Sequence, residues 1–492
     1  MDVTDSFPRR QALTRRFTLG EPRDIRVSSD GARVVFLRSS GPVDAVNSLW
    51  VLDVAAGVER LVADPRHLAE PSGRGTHDGD GDRDGENTGG DAGGDVPAAE
   101  RARRERVRET AGGIVSYDVD DTLTTAAFAL GGRLWRVSLR DGGRPELLAA
   151  SPGAFDPRLA PDCARVAYVA GSSLRVTGDA RGDRLVAHDS SDTVSWGAAE
   201  FVAAEEMGRT RGHWWSPDGE HLLAARVDTA AVPSWWIADP ASPGREPAQI
   251  RYPAAGQPNA EVSLAVLDAG AGAGTGDGDS GGEAGPSGSG RVVVAWDSDG
   301  WEYLAGVRWS ADGLILTVQT RDQRTLGVLQ ADPGTGLCRL LRTVTDDAWV
   351  ELVPGVPRLV GRKLVTVEDR APARRLCLDG EALTGDDIQV RSVHHADDGG
   401  VIITASIDPA EVHVVRVGWD GGLQWLTSGP GVHGVAVGGD TVVLTGRSLE
   451  HPGGRCTVQS RLRPEPGLPV ATHAAEPGLD LNVEIVELGP RR

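Results

Sequence analysis

Hydrophobic positions in this chain do not recur at helical spacing. They come in short Val- and Leu-rich runs of roughly four to seven residues, separated by turn clusters roughly every 8 to 12 residues, which is the spacing of an all-β protein. The runs repeat one another. Val27-Ser28-Ser29-Asp30-Gly31 leads into the apolar run Ala32 to Leu37. The same elbow returns as Trp215-Ser216-Pro217-Asp218-Gly219 before His221 to Val227, and as Trp309-Ser310-Ala311-Asp312-Gly313 before Leu314 to Thr320. Leu159-Ala160-Pro161-Asp162 and Ala396-Asp397-Asp398-Gly399 are weaker copies. After several elbows comes a further strand with a Leu-Trp pair, as in Ser48-Leu49-Trp50-Val51 and Arg133-Leu134-Trp135-Arg136. An Asp-Gly turn supplies the positive φ that a tight reversal demands, and apolar alternation on either side pairs the strands, so each elbow reads as a hairpin.

A recurring hairpin turns the expectation from a sandwich to a radial repeat. Four strands make a blade of about 40 to 50 residues, and roughly 440 residues remain once two biased segments are set aside, which is room for about eight to ten blades. The sequence therefore predicts an eight-bladed β-propeller over residues 15–489, preceded by a tail over 1–14. The biased segments, 71–98 (Gly and Asp) and 268–290 (Gly, Ala, Ser and Asp), are expected as disordered surface loops. One helix is expected over 98–110, AAERARRERVRET, charged on all sides and hence an exposed connector. The 13 tryptophans outnumber Tyr and Phe together, and Trp50, Trp135, Trp215, Trp309 and Trp425 fall where blade cores need bulk. One of Trp235 and Trp236 is a candidate for lining the central cavity.

Charge narrows the partners. With 51 Lys plus Arg against 71 Asp plus Glu, the formal net charge is -20. Such a surface repels polyanions, so neither nucleic acid nor an anionic membrane is an expected partner. No apolar run reaches the roughly 18 residues of a spanning helix, and MDVTDSFPRRQALTRRF lacks the apolar core of a signal peptide, so the expected compartment is the cytoplasm. Cys163, Cys338, Cys377 and Cys456 lie far apart without paired spacing, and they are expected as buried thiols rather than zinc ligands or disulfides.

Glu205 and Glu206 follow directly on the apolar run Phe201 to Ala204. Such a pair reads either as a solvated helix start or as a clamp for a cation, because two carboxylates side by side accept the several N–H donors of an ammonium group. The neighbouring residues bear on that choice. The run FVAAEEMGRTRGHWWSPDGEHLLAARVDTAAVPSWWIADP, followed by Tyr252-Pro253, Ala255-Gly256 and Pro258-Asn259, resembles the N-terminal propeller of the dipeptidyl peptidase IV family, within the prolyl oligopeptidase class of serine peptidases. In that family a Glu-Glu pair on a short helical excursion, shortly before a Trp-Trp-Ser-Pro-Asp-Gly elbow, binds the free α-amine of the substrate. The resemblance thus assigns Glu205 and Glu206 to the substrate N-terminus. An anionic ledge of that kind fixes the peptide register, so that only the second peptide bond reaches a nucleophile. An arginine of the propeller holds the substrate carbonyl in this family, and the sequence does not single it out here.

Relatives continue into an α/β-hydrolase domain with a Ser in a G-x-S-x-G elbow, then Asp, then His. The formal match, Gly278-Asp279-Ser280-Gly281-Gly282, lies in the second biased segment with no strand before it and no helix after it, and Leu481 to Pro490 reads as the strand leading toward that domain. No catalytic residue is therefore expected in this chain, nor a cofactor or metal. The expected role is substrate recognition and gating in proteolysis. Its expected partners are a peptide substrate, a separate α/β-hydrolase polypeptide and a second copy of the chain. The alternative is a stand-alone, non-catalytic peptide- or protein-binding propeller. Asp80, Asp82, Asp84, Gly85 and Asp91 imitate part of a calcium loop but lack flanking helices. His394 and His395, beside Asp397 and Asp398, should point to opposite faces of a strand and so fail to share one ion.

Overall fold

The computed structural model describes residues 6–68, 98–106, 108–241, 243–244, 246–270, 291–451, 453–478 and 486. Eight antiparallel sheets of four strand positions follow one another along the chain, and together they form an eight-bladed β-propeller. Blade 1 is Arg23–Val27, Arg33–Ser39, Val46–Asp53 and Val58–Ala63, and blade 8 is Val432–Gly438, Thr441–Arg447, Arg455–Ser460 and Arg463–Pro469; between them blade 2 runs from Asp118 to Leu147, blade 3 from Ala154 to Ala187, blade 4 from Val194 to Val294, blade 5 from Tyr303 to Thr345, blade 6 from Arg358 to Ala382 and blade 7 from Gln389 to Trp425. In every blade the first strand is innermost, and residues on or beside the first strands of blades 1, 2, 3, 4, 7 and 8 line an axial cavity of about 990 Å³.

The elbows join first strands to second strands, and their chemistry is local. Ser28 Oγ donates to Asp30 (2.6 Å) and accepts the Arg33 N–H (2.9 Å), while Gly31 takes φ +72°. Ser216, Asp218 and Gly219 repeat the arrangement, with Gly219 also at +72°. In the weaker copy on blade 3, Cys163 stands where the others have glycine, and it adopts φ +60°.

Apolar side chains fill the wedges between blades. Val35, Leu37, Phe128 and Trp135 pack between blades 1 and 2, and Leu223, Leu264, Leu316 and Val318 between blades 4 and 5. Blades 8 and 1 close the ring through Val34, Phe36, Val443 and Val458. There the Thr441 hydroxyl donates to the Gly31 carbonyl (2.8 Å), and Arg38, 1% exposed, pairs with Glu59 (2.7 Å) and lies over the Trp50 ring. Blades 7 and 8 also meet through stacked rings, His413 on His433 with centroids 5.3 Å apart.

Several expectations change. Residues 7–13 of the anticipated tail form a helix, Phe7–Leu13, which Arg10 ties to the Glu476 and Pro477 carbonyls. The charged helix spans Ala98–Arg106 and is not an exposed connector. Glu100 is 6% exposed and takes hydrogen bonds from Arg103 and Arg104, so the charges neutralise one another and that face can be buried. Asp268 ends a blade 4 strand rather than opening a loop, and most of 71–98 and 268–290 lies outside the described residues. Of the four thiols only Cys377 is fully buried, and Trp425 is 37% exposed. No helix among the described residues is long and apolar enough to cross a membrane.

Candidate functional site

Blade 4 breaks the repeat. Its inner strand comes in two pieces, Val194–Trp196 and His213–Trp215, which pair in line with successive parts of the same neighbour, His221–Asp228. Residues 197–212 leave the blade between them. Gly197 and Gly212 form the base of this excursion: Gly197 has φ +81°, and a Cβ on Gly212 would meet the Ala198 backbone at 2.4 Å. Nδ1–H of buried His213 donates to the Gly197 carbonyl (2.8 Å) and closes the base, and burial pushes its pKa down.

The excursion carries the short helix Phe201–Glu205, capped at its end by Glu206. One ion pair, between the buried side chains of Glu200 and Arg209, pins it. Arg209 also donates to the carbonyls of Leu304 (2.9 Å), on the inner strand of blade 5, and of Arg211 (3.1 Å). Tyr252 makes edge contacts with Phe201 (5.2 Å) and with Trp235 (5.4 Å), which ties the helix to the hairpin of Ser234–Ile237 and Ala248–Arg251. Trp235 and Trp236 are 50% and 62% exposed on that hairpin and do not line the axial cavity.

Helix Ala98–Arg106 packs beside Phe201–Glu205, and the two border a cavity of about 530 Å³. Glu205 and Arg106 both line it, with Arg106 over the Phe201 ring at 5.6 Å. Burial lowers the Arg106 pKa, against the opposing pull of Glu205 and Glu200. Glu206, exposed at the helix end, is not part of the lining. The sequence-predicted pair is therefore split: Glu205 faces the cavity and Glu206 stands at its edge. Neither carboxylate has a hydrogen-bond or ion-pair partner among the described residues. Arg106 went unrecognised in the sequence because only the packing of two helices distant in the chain selects it.

His394 and His395 sit differently from expectation. His394 is the extra residue of a β-bulge opposite Ile403 and Ile402, and both rings line the axial cavity. His395 lies 3.5 Å from Asp397, and no cluster of three or more metal-ligating side chains occurs among the described residues. The acidic run around Asp80 and the Gly278 to Gly282 match lie outside the described residues, as does 481–490 except Val486.

These features define a β-propeller with a helical ledge bearing unpaired carboxylates at the edge of one blade. Residues 127–420 match the family model described as "Dipeptidyl peptidase IV (DPP IV) N-terminal region", and the chain belongs to that family. Human "Dipeptidyl peptidase 8" is similar at 26% identity over 272 residues, 46% of this chain and 28% of the relative. Rat "Inactive dipeptidyl peptidase 10" is 25% identical over 173 residues, 34% of this chain and 20% of the relative. These matches thus span less than a third of either relative. The solved structure of Porphyromonas gingivalis dipeptidyl peptidase 4 shares the fold, with a TM-score of 0.66 at 17% identity over 94% of this chain and 62% of that one.

Proposed function

We propose that this chain is the substrate-recognition and gating propeller of a dipeptidyl peptidase IV-like serine peptidase, and that it binds the free N-terminal amine of peptides through Glu205 and Glu206. The carrying observation is the unpaired Glu205 carboxylate facing a 530 Å³ cavity on a ledge that buried Arg209 holds in place. An ammonium group has three N–H donors for those oxygens, and Arg106, on the same wall, suits the first peptide carbonyl. The nucleophile would come from an α/β-hydrolase domain or a separate polypeptide. One similar protein is named as inactive, which keeps a non-catalytic peptide-binding propeller as the second reading. Four free thiols fit a reducing compartment such as the cytoplasm.

The test is calorimetry with the tripeptide Val-Pro-Ala and its N-acetylated form. The free amine should bind at least about tenfold more tightly, the worth of one charge-assisted hydrogen bond. The E205Q/E206Q variant should lose that preference and melt like the wild type, since both side chains are exposed. Equal binding of the two peptides to the wild type would refute the assignment.

A further inference from the structure

The axial tunnel carries its charges unevenly. On blades 1 to 3 carboxylates are in excess: Arg26 pairs with Asp24 and Arg158 with Asp118 and Asp156, while Asp30, Asp120 and Asp121 also line the cavity. Blades 4 to 6 are different. Arg211 precedes the inner strand piece His213–Trp215, Arg308 lies in the inner strand Tyr303–Ser310, and Arg358 opens the inner strand Arg358–Val360. Three consecutive blades thus place an arginine at the inner position. Among the described residues none of the three forms an ion pair. Arg308 has one long hydrogen bond, to the Gly355 carbonyl at 3.4 Å, Arg358 Nε is buried without an acceptor, and Arg211 rests against the Trp214 ring.

The three guanidinium groups and the neighbouring histidines share one electrostatic environment. Burial, then Arg158 and more weakly Arg308, bring the Arg211 pKa down to about 10 against the opposing pull of Asp118 and Asp156, and burial with Arg308 does the same for Arg358. Burial also lowers His394, with Arg358 adding to the effect. Arg211, His394 and His395 all line the 990 Å³ cavity. Half-buried like charges without a direct ion-pair partner weaken a fold, and a purely structural role would be met as well by neutral side chains. Guanidinium groups without an ion-pair partner on three adjacent blades, one with a buried Nε that has no acceptor, instead suit an acceptor that comes from outside the chain.

We propose that Arg211, which lines the axial cavity, together with Arg308 and Arg358 on the inner strands of the next two blades, forms a binding site for an oxyanion, a carboxylate or a phosphate, which guanidinium groups from three adjacent blades would hold. A small free polyanion and the acidic end of a peptide share this chemistry. The site uses neither Glu205 nor Glu206.

The experiment is calorimetry on the full chain at low ionic strength, where screening is weakest. One probe is inorganic pyrophosphate. The other is the peptide acetyl-Ala-Asp-Asp-Asp, which lacks a free amine, with the amidated acetyl-Ala-Asn-Asn-Asn as its neutral control. Binding of either acidic probe, with each of R211Q, R308Q and R358Q weakening it at least about fivefold, supports the site, and the probe that binds identifies the source. R358K keeps the charge but loses the planar fork and should fall in between. The ligand-free R308Q/R358Q variant should melt no lower than the wild type, whereas a structural role for these arginines would lower it. Failure of both acidic probes to bind at millimolar concentration, or binding that the three substitutions leave unchanged, overturns the proposal.

Discussion

Replacing Arg209 by Met tests whether one buried ion pair holds the recognition ledge. The Arg209 side chain is 3% exposed and that of Glu200 8%, and the guanidinium spends its donors on Glu200 and on the Leu304 and Arg211 carbonyls. Methionine has a similar length and leaves little cavity, so the loss is electrostatic: Glu200 stays buried without a partner, at a cost of about 3–5 kcal/mol. Unfolding entropy of about 2.1 cal/mol/K per residue over roughly 400 ordered residues gives roughly 0.8 kcal/mol per degree, so Tm should fall by about 4 to 6 °C. E200L should cost a similar amount by orphaning the arginine. The E200L/R209M double variant should recover most of the loss, because an apolar pair of like volume replaces a buried ion pair almost neutrally. Scanning calorimetry reads all three variants, and peptide titration reads whether free-amine binding falls in R209M as its helix loosens. A Tm for R209M within about 1 °C of wild type, or a double variant as unstable as the sum of the singles, would refute the reasoning.

Two further outcomes follow from the ring. Burial, and then His413 stacked upon it, depresses the His433 pKa below the 6.5 of a free imidazole, with Glu411 opposing. A neutral form favoured in the folded state contributes stability above pH 6.5 that is lost as pH falls through the lowered value. Tm should therefore drop on acidification below about pH 6.5, and H433F should flatten that limb of the curve while leaving the neutral-pH limb in place. On blade 4, Trp235, Trp236 and Ile237 are each at least 50% exposed on one hairpin, an apolar surface suited to self-association. Sedimentation velocity should show concentration-dependent association that W235S/W236S abolishes, and a monomeric wild type at high concentration would refute it.

The blades were legible because the elbow chemistry is local: Ser, Asp and Gly make their turn wherever they occur, and five copies suffice to reveal a period. Cys163 shows why one copy looked weak, since a non-glycine residue there bears the positive φ. The helix of 98–106 was legible as a helix but not as a buried one. All-round charge implies solvent only when the charges lack partners, and the Glu100 spacing to Arg103 and Arg104 was the available sign that they pair. The His394 bulge had no comparable signal. One extra residue in a strand leaves the apolar alternation nearly intact, yet it turns two adjacent rings toward the same cavity.

The regular blades supply a frame, and the departures from the repeat supply the chemistry. Helix 98–106 enters between blades 1 and 2, the 197–212 excursion interrupts the inner strand of blade 4, and the Trp235 hairpin rises from the same blade. These insertions meet at Phe201, which Arg106 covers and Tyr252 abuts. Within a few residues of that ledge carboxylate gives way to guanidinium. Asp156 lines the Glu205 cavity, its partner Arg158 lines the axial one, and Arg211 follows on the next blade. A peptide is itself a dipole, ammonium at one end and carboxylate at the other. Free carboxylates at the ledge and guanidinium groups on the inner strands are the complementary pattern, and it would orient a short peptide before any single contact fixes its register. An N-acetylated acidic peptide and an amidated free-amine peptide separate the two halves. On this reading each binds through one end only, and the unblocked acidic peptide binds more tightly than either.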